Sequence, residues 1–285
     1  MLYALLMVSL IEEWRFIFVD TVDGPTGVAI SEAITLAMSK NVVPNTILFW
    51  RVKSPFICLG RNQLVKEEVH EAACKQLEVG IVRRTEGGGA GYCDENQILY
   101  SIIVNKGHLK IPYSIEGAYT AVLKGVNEGL MKLGLTNTSF EPKLQAVFVN
   151  GKKVSGNAQT SFGGVTVVSG SFLVKFDYKT MCKVLKEPIK NLKGEIKTPE
   201  EGLTYVSREL GRSVSIKEAK EALKQGFEKA LHVRLIPRKL ANEELRLVEE
   251  LKSKYASHEW TYYMDIKERK RQEFKKKGLI QLAGK

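Results

Sequence analysis

The order of strand and helix patterns along the chain restricts its fold more than any other feature. Runs rich in aromatic and β-branched residues, typical of strands, fill the first two thirds and begin with Trp14 to Asp20. After Asp177 the pattern is helical; Ser215 to Glu218 has capping-box form, and a last helix is predicted from about Asn242 to Tyr255. Strands and helices do not alternate regularly, so this order predicts an α+β fold.

Two local signals fix individual elements. From Ile115 to Leu133 the apolar residues recur at spacings of three and four, which predicts a helix capped by Ser114. Asn150-Gly151 readily takes the positive φ angles of a type I′ turn, and Gly163-Gly164 predicts a second hairpin turn. The other predicted elements are helices at 28–39 and 66–77 and strands at 46–52, 56–59, 80–84, 99–104 and 165–176.

Composition points to a cytoplasmic protein without a membrane span. Of the 285 residues 44% are hydrophobic, enough to bury a substantial core, but no apolar stretch approaches the ~18 residues that cross a bilayer. The apolar run from Met1 to Ile11 has no basic residue before it and is followed by Glu12 and Glu13, so it is a poor signal peptide. Met7 is a candidate start of the protein.

The cysteines and the net charge argue against a metal- or disulfide-stapled protein and against a nucleic-acid-binding protein. Four cysteines without a CxxC pair suggest neither a zinc site nor a disulfide framework, and we expect reduced, buried thiols. The net charge is +11, but Met264 to Lys285 alone carries eight basic and three acidic residues. Such a tail is typical of a solvated helix face, which disfavours nucleic-acid binding and would suit an acidic protein partner.

The most informative segment runs from Arg83 to Tyr92 (RRTEGGGAGY). Three consecutive glycines allow backbone N–H groups to approach a phosphate or adenylate, and two arginines add positive charge. The segment matches neither a P-loop nor a dinucleotide fingerprint. It therefore predicts an anion-binding loop, with a flexible turn as the alternative.

The second informative segment runs from Asn150 to Gln159 (NGKKVSGNAQ). A lysine on a hairpin strand, followed by small residues, can direct its ammonium at a carboxylate or phosphate in a pocket. Lys153 is the candidate. The alternative is an ordinary surface hairpin.

Together these segments resemble the biotin and lipoate protein ligase superfamily, specifically the lipoate protein ligase A branch. That family shows RRxxGGGA followed by an aromatic residue, then GxKxSGxAQ on a hairpin. Leu59 to Gln63, Glu32 in the first helix, Tyr255 and Glu259 to Tyr262 also resemble family segments. The resemblance implies a ligase-like catalytic domain at 1–262, with mixed and antiparallel sheets flanked by helices. It also implies a basic tail at 263–285 without the family's accessory C-terminal domain, and hence a separate small accessory subunit.

The resemblance implies ATP-dependent activation of lipoate or octanoate to an acyl-adenylate, with Mg²⁺, and transfer to a lysine of a lipoyl-acceptor domain. Lys153 would bridge the acyl carbonyl and the phosphate, since fixed cations stabilise such charge. The residues carried over as nucleotide or acyl-adenylate contacts are Arg83, Arg84, Gly87, Gly88, Gly89, Ala90, Gly91, Tyr92, Lys153, Ser155, Gly156 and Ala158.

The chain departs from the family pattern at four places. Cys93-Asp94 stands for His-Asp, Ser169-Gly170 for His-Gly, Glu86 for Ser or Thr, and Ala146 for the Asp that helps to hold magnesium. Any protein ligand to the metal is therefore left open. We expect Cys93 to be a buried small residue.

Two alternatives to a ligase follow from these departures. One is a diverged octanoyl or lipoyl transferase, which needs a thiolate near the strand that leads into the hairpin. That segment, Thr138 to Pro142, has no cysteine, and Cys93 is the only thiol within a motif. The other is a non-catalytic lipoate-binding paralogue.

Overall fold

The structure is a computed structural model that describes residues 11–190, 192 and 195–283, with side chains described up to residue 273. Most of the opening apolar run and the candidate start at Met7 lie outside the described residues. No described helix has both the length and the apolar composition needed to span a membrane.

The strands form one large and one small sheet. The large sheet contains β1 (Glu12–Val22), β2 (Thr46–Val52), β6 (Gln97–Asn105), β7 (Thr138–Glu141), β8 (Ala146–Val149), β9 (Lys152–Phe162), β10 (Val165–Leu173) and β11 (Val233–Pro237). The small sheet contains β3 (Phe56–Leu59), β4 (Gly80–Arg83) and β5 (Gly91–Cys93).

The helices lie between and after these strands. They are α1 (Gly24–Ser39), α2 (Val65–Glu68), α3 (Glu71–Gln76), α4 (Ile115–Lys132), α5 (Tyr178–Val184), α6 (Pro199–Gly202), α7 (Val206–Glu209), α8 (Ile216–Leu231), α9 (Asn242–Ala256), α10 (His258–Thr261) and α11 (Tyr263–Ala283). A single turn of 3₁₀ helix, Pro142–Leu144, joins β7 to β8.

Both sheets are mixed. The large sheet has the order β11-β1-β2-β6-β10-β9-β8-β7, in which β1 runs parallel to β11 and β2 and the other pairs are antiparallel. In the small sheet β3 is parallel to β4 and antiparallel to β5. The predicted α+β class is confirmed.

Helices bury apolar residues on both faces of the large sheet. On one face α8 packs against α4, and Phe227 of α8 contacts the ring of Phe49 in β2. A Cβ on Gly226 would lie 2.4 Å from the carbonyl oxygen of Gly125, so the two helices need glycine where they cross. On the other face α1 packs with α9 in a second apolar cluster.

Most of the predicted elements are present. Ser114 caps α4 by accepting a hydrogen bond from the Gly117 amide (3.1 Å), as expected. Asn150 and Gly151 have φ angles of 50° and 76°, which confirms the predicted hairpin turn. Gly163 and Gly164 likewise turn β9 into β10 with positive φ.

Three predicted elements differ clearly from the structure. The helix expected at 66–77 is two short helices, because the chain extends at Val69, which bridges to Leu185. Helix α1 begins at Gly24 instead of Val28, since Asp23 accepts a hydrogen bond from the Thr26 amide (2.8 Å). Strand β10 ends at Leu173, three residues earlier than predicted.

Candidate active site

A large cavity lies between the small sheet with its glycine loop and the face of the large sheet formed by β6 and β8 to β10. Its volume is about 770 Å³. The wall includes Gly88 to Cys93, Lys153, Gly156, Ala158 and Ser169. The two segments singled out by sequence therefore meet around one space, although they are far apart along the chain.

The glycine loop is held in a curve by the side chain of Arg84. Its guanidinium donates to the carbonyl oxygens of Gly87 (2.5 Å), Gly89 (3.0 Å) and Cys58 (2.9 Å). Gly88 has a φ of 86°, and a Cβ on Gly60 would lie 2.0 Å from the Gly88 carbonyl oxygen. Glycine is thus required both for the turn and for the close approach beneath it.

Arg83 does not lie in the cavity wall, contrary to our expectation of a nucleotide contact. Its guanidinium is fully buried and donates to the carbonyl oxygens of Gln63 (2.6 Å), Thr261 (2.7 Å) and Gly60 (3.0 Å). Burial lowers the pKa of this guanidinium, and the charge of Asp265 opposes that shift. The Arg83 side chain therefore connects the end of β4 to the end of α10 by hydrogen bonds. It supports the glycine loop without lining the cavity.

Lys153 lies in the cavity wall, as the sequence predicted. It pairs with Phe148 across the hairpin, and burial lowers the pKa of its ammonium. Among the described residues no carboxylate lies within 4.0 Å of it. A Cβ on Gly156 would lie 2.9 Å from Lys153 Cε, so the glycine of the motif leaves room for the lysine.

The other predicted contacts divide into two groups. Gly88, Gly89, Ala90, Gly91, Tyr92, Gly156 and Ala158 lie in the wall, with Arg84 and Lys153. Gly87 and Ser155 do not. Ser155 is fully buried, and its hydroxyl hydrogen-bonds with the hydroxyl of Tyr100 (3.0 Å). The Tyr100 hydroxyl donates in turn to Asn157 Oδ1 (2.5 Å). Sequence reasoning missed Tyr100, whose pKa is raised by burial.

A chain of polar side chains connects two of the departures from the family pattern. The Ser31 hydroxyl donates to Ser101 (3.0 Å), which hydrogen-bonds with Ser169 (2.9 Å). Ser169 donates to the carboxylate of Glu86 (2.7 Å), which is buried in the same wall. Glu86 and Ser169 are therefore direct hydrogen-bond partners. The sequence signal for this contact is that both positions depart from the family pattern.

Cys93 is buried, as expected, and lies in the wall beside Cys58. Cys58 is only half-buried, so the expectation of burial for every cysteine is wrong there, as it is for the exposed Cys182. Asp94 is buried but is not part of the wall. Burial raises the pKa of Asp94 to about 6, against hydrogen bonds that lower it.

The wall does not fit a magnesium ion held by protein carboxylates. Ala146 presents a buried methyl group at the position where the family has Asp, and a methyl group offers no oxygen ligand. Glu86, the buried carboxylate of the glycine loop, already accepts the Ser169 hydroxyl. The other carboxylates of the wall are paired with lysines: Glu32 with Lys254, and Glu68 and Glu187 with Lys190. The described residues contain no group of three or more His, Cys, Asp or Glu that could hold a metal ion.

The segment from Glu259 to Tyr262, which resembles a family segment, lies against the cavity through Trp260. Trp260 donates from its indole N–H to the Arg83 carbonyl oxygen (2.8 Å) and lines the wall with Lys254. Lys254 forms an ion pair with Glu32 of α1 (2.9 Å) and lies 4.3 Å from the centre of the Trp260 ring. This contact places α1, α9 and α10 around one side of the site.

The sequence model of the family called lipoyl protein ligase A/B catalytic domain matches residues 23–228 of this chain. The chain belongs to this family. It is 32% identical over 274 residues to the octanoyltransferase LipM of Geobacillus kaustophilus, a match that covers 88% of this chain and 98% of that protein. The octanoyltransferase LipM of Bacillus subtilis is 29% identical with the same coverage.

Solved structures of the family share the fold. The bi-partite lipoate protein ligase of Thermoplasma acidophilum superimposes with a TM-score of 0.77 at 25% identity, covering 89% of this chain and 97% of that one. A lipoate-protein ligase A bound with ATP superimposes with a TM-score of 0.76 at 23% identity, covering 88% of this chain and 99% of that one. The resemblance read from the two motifs is confirmed.

Proposed function

We propose that this chain is an acyltransferase that moves an octanoyl or lipoyl group from a thioester donor to a lysine of a lipoyl-acceptor domain. The LipM relatives, which match nearly the full length of the chain, are named octanoyltransferases and support this choice over the ATP-dependent ligase. The reaction would take place in the cytoplasm, where thiols stay reduced.

One observation carries the choice between the two chemistries. Glu86 is buried at the glycine loop, in the wall against which a ligase would place nucleotide phosphates. Like charges in a low-dielectric site repel each other strongly, so this carboxylate opposes a triphosphate but not a neutral thioester. The methyl group of Ala146 lines the same cavity, so the site favours a donor that brings neither phosphate nor metal.

The remaining wall suits transfer of a fatty-acyl group. The acyl carbonyl becomes an oxyanion in the transition state, and the Lys153 ammonium with the N–H groups of the glycine loop would stabilise that charge. The half-buried ammonium carries no ion pair with the described carboxylates, so it is available for this role. The apolar part of the wall, which would hold the hydrocarbon chain, includes Trp50, Leu99, Phe148, Val167, Leu173 and Leu185.

A ligase remains the second candidate, favoured by the close superposition with the bi-partite lipoate protein ligase and by the glycine loop itself. It would use ATP, Mg²⁺ and free lipoate, and a separate small accessory subunit would be a further partner.

The test is a donor comparison on the purified chain with an unmodified lipoyl domain as acceptor. One arm supplies an octanoyl-acyl-carrier-protein thioester, and the other supplies octanoate or lipoate with ATP and magnesium. Intact-mass spectrometry of the acceptor reads out the transfer. We expect modification in the thioester arm alone. Acyl-AMP and a modified acceptor in the ATP arm, with none in the thioester arm, would replace the transferase by the ligase.

A further inference from the structure

Two thiols lie side by side in the cavity wall. Strand β3 carries Cys58 and strand β5 carries Cys93, and their register pairs Phe56 with Cys93 and Cys58 with Gly91. Residues two apart on a strand share a face, so the two cysteines are diagonal neighbours on one face of the small sheet. Both line the cavity, with Cys58 the more exposed of the two.

The surroundings of this pair favour a thiolate on Cys58. A guanidinium nitrogen of Arg84 lies 3.7 Å from Cys58 Sγ, and the enclosed Arg84 Nε has no hydrogen-bond partner among the described residues. A hydrogen bond from the Cys93 thiol lowers the pKa of Cys58, burial raises it, and the charge of Arg84 lowers it again; the pKa is about 7. Reactive cysteines are found in such electropositive, partly exposed places.

Cys93 is the proton donor of the pair. Its hydrogen bond to Cys58 and its burial both raise the pKa of Cys93 well above the ordinary value for a thiol. It therefore stays protonated at neutral pH and can stabilise negative charge on the neighbouring sulfur. This arrangement agrees with the expectation that Cys93 is not itself a nucleophile.

We infer that Cys58 is the nucleophile that accepts the acyl group in this cavity, an inference that rests on the proposed transferase function. Of the four cysteines only Cys58 and Cys93 line the cavity, since Cys74 is packed in the core and Cys182 is exposed on α5. The segment 138–142, where a transferase of this family would carry its thiolate, has no cysteine. Cys58 gives the reaction the thiol that this segment lacks.

The two steps balance without an oxidant or a further reactant. The Cys58 thiolate attacks the carbonyl carbon of the donor thioester, and the bond from that carbon to the donor sulfur breaks. The donor leaves as a thiolate that takes a proton from water, and the acyl group remains as a thioester on Cys58. The neutral amine of the acceptor lysine then attacks this thioester, forms the amide and releases the Cys58 thiolate, while the amine proton passes to water.

The experiment traps the first step by leaving out the acceptor. The full chain, kept reduced with a phosphine, is mixed with the octanoyl-acyl-carrier-protein thioester and quenched in acid, and intact mass with peptide mapping locates any adduct. We expect one octanoyl group on Cys58. Cys58→Ala and Cys58→Ser should lose both the adduct and the transfer to the lipoyl domain, while Cys182→Ala should keep both; thermal melting checks that each variant is folded.

A second readout does not depend on transfer. The rate at which iodoacetamide alkylates Cys58, followed from pH 5 to 10 by peptide mass, should be half-maximal near pH 7 because the thiolate is the reactive form. Cys93→Ala removes the hydrogen bond to Cys58 and should move this midpoint to higher pH. Cys93→Ser keeps a donor and should move it less.

The outcomes separate the two hypotheses. A folded Cys58→Ala variant that transfers octanoyl at the wild-type rate, or an adduct on Cys93, would overturn the role of Cys58 and leave the transferase in place. A wild-type chain that gives neither an adduct nor transfer from the thioester donor would overturn the proposed function itself.

Discussion

Asparagine at position 94 should stabilise this protein at neutral pH and have little effect in acid. The Asp94 carboxyl is only 2% exposed. One oxygen accepts a hydrogen bond from the Asn96 amide (2.9 Å), but the other has no partner within the described part of the chain. A carboxylate held in this way has lost water without gaining a cation, and its burial raises the pKa to about 6.

The magnitude and sign follow from linkage between protonation and folding. The folded protein holds the Asp94 proton up to about pH 6, whereas the unfolded chain releases it near the ordinary pKa of 3.8. The contribution of Asp94 to the free energy of unfolding is therefore most favourable below pH 3.8, and it is lost as the pH rises through about 6. The gap between the two pKa values corresponds to about 3 kcal/mol at neutral pH, because each pH unit of difference is worth about 1.4 kcal/mol.

Urea unfolding followed by circular dichroism at pH 4 to 8 measures this effect. Asp94→Asn keeps the oxygen that accepts from Asn96 and removes the charge. Its free energy of unfolding should exceed that of the wild type by up to about 3 kcal/mol at pH 7 and by only about 0.5 kcal/mol at pH 4.

Asp177→Asn is the matched control, because its carboxylate is exposed and caps α5 by accepting hydrogen bonds from Thr180. Burial raises the pKa of Asp177, but the Thr180 hydrogen bonds outweigh it and the net pKa is lowered. Its loss should destabilise the protein at pH 7, and the difference should vanish as the pH falls. An Asp94→Asn variant less stable than the wild type at pH 7 would refute the reasoning.

Three further substitutions test the site. Lys153→Ala should abolish octanoyl transfer without lowering the thermal midpoint, because burial already disfavours its charge; an unchanged transfer rate would remove Lys153 from the mechanism. Gly60→Ala should cost about 1–3 kcal/mol in urea unfolding, since its Cβ would lie 2.0 Å from Gly88 O, whereas Gly87→Ala meets nothing within 4 Å and should be tolerated. Glu86→Gln removes a buried charge and should tighten ATP binding about tenfold in calorimetry, or 1.4 kcal/mol; equal affinity would show that Glu86 does not exclude phosphates.

The sequence predicted those elements that depend on neighbouring residues. Helix α4 and the Asn150-Gly151 hairpin are set by local spacing and turn chemistry, and both are present. The break at Val69 depends on a bridge to Leu185, and β11 is a strand because it pairs with β1 more than two hundred residues earlier. Pairing between distant segments leaves no local signal in a single sequence.

The same distinction explains what was predicted of the site. The motifs identified the glycine loop and Lys153, but not which of two adjacent arginines faces the cavity. Side chains alternate across an extended chain, so Arg83 and Arg84 point to opposite sides, and only Arg84 reaches the cavity wall. Cys58 was missed because the register of β3 against β5, which sets it beside Cys93, cannot be read from either strand alone.

Residues that depart from the family pattern interact with other side chains of the site. Glu86 and Ser169 replace two family residues and hydrogen-bond to each other, and Cys93 replaces a histidine and lies against Cys58. A random loss of function would leave such positions without partners, and a buried carboxylate without a donor would cost several kcal/mol.

The charges around the cavity also favour acyl transfer from a thioester. At the glycine loop the positive charge of Arg84 lies beside the Cys58 sulfur (3.7 Å), and Glu86 in the same loop brings a negative charge. The wall also holds the Lys153 ammonium, which has no carboxylate within 4.0 Å among the described residues. The wall can direct this ammonium at a carbonyl oxygen while one sulfur attacks the carbonyl carbon, which is the division of labour that acyl transfer from a thioester requires.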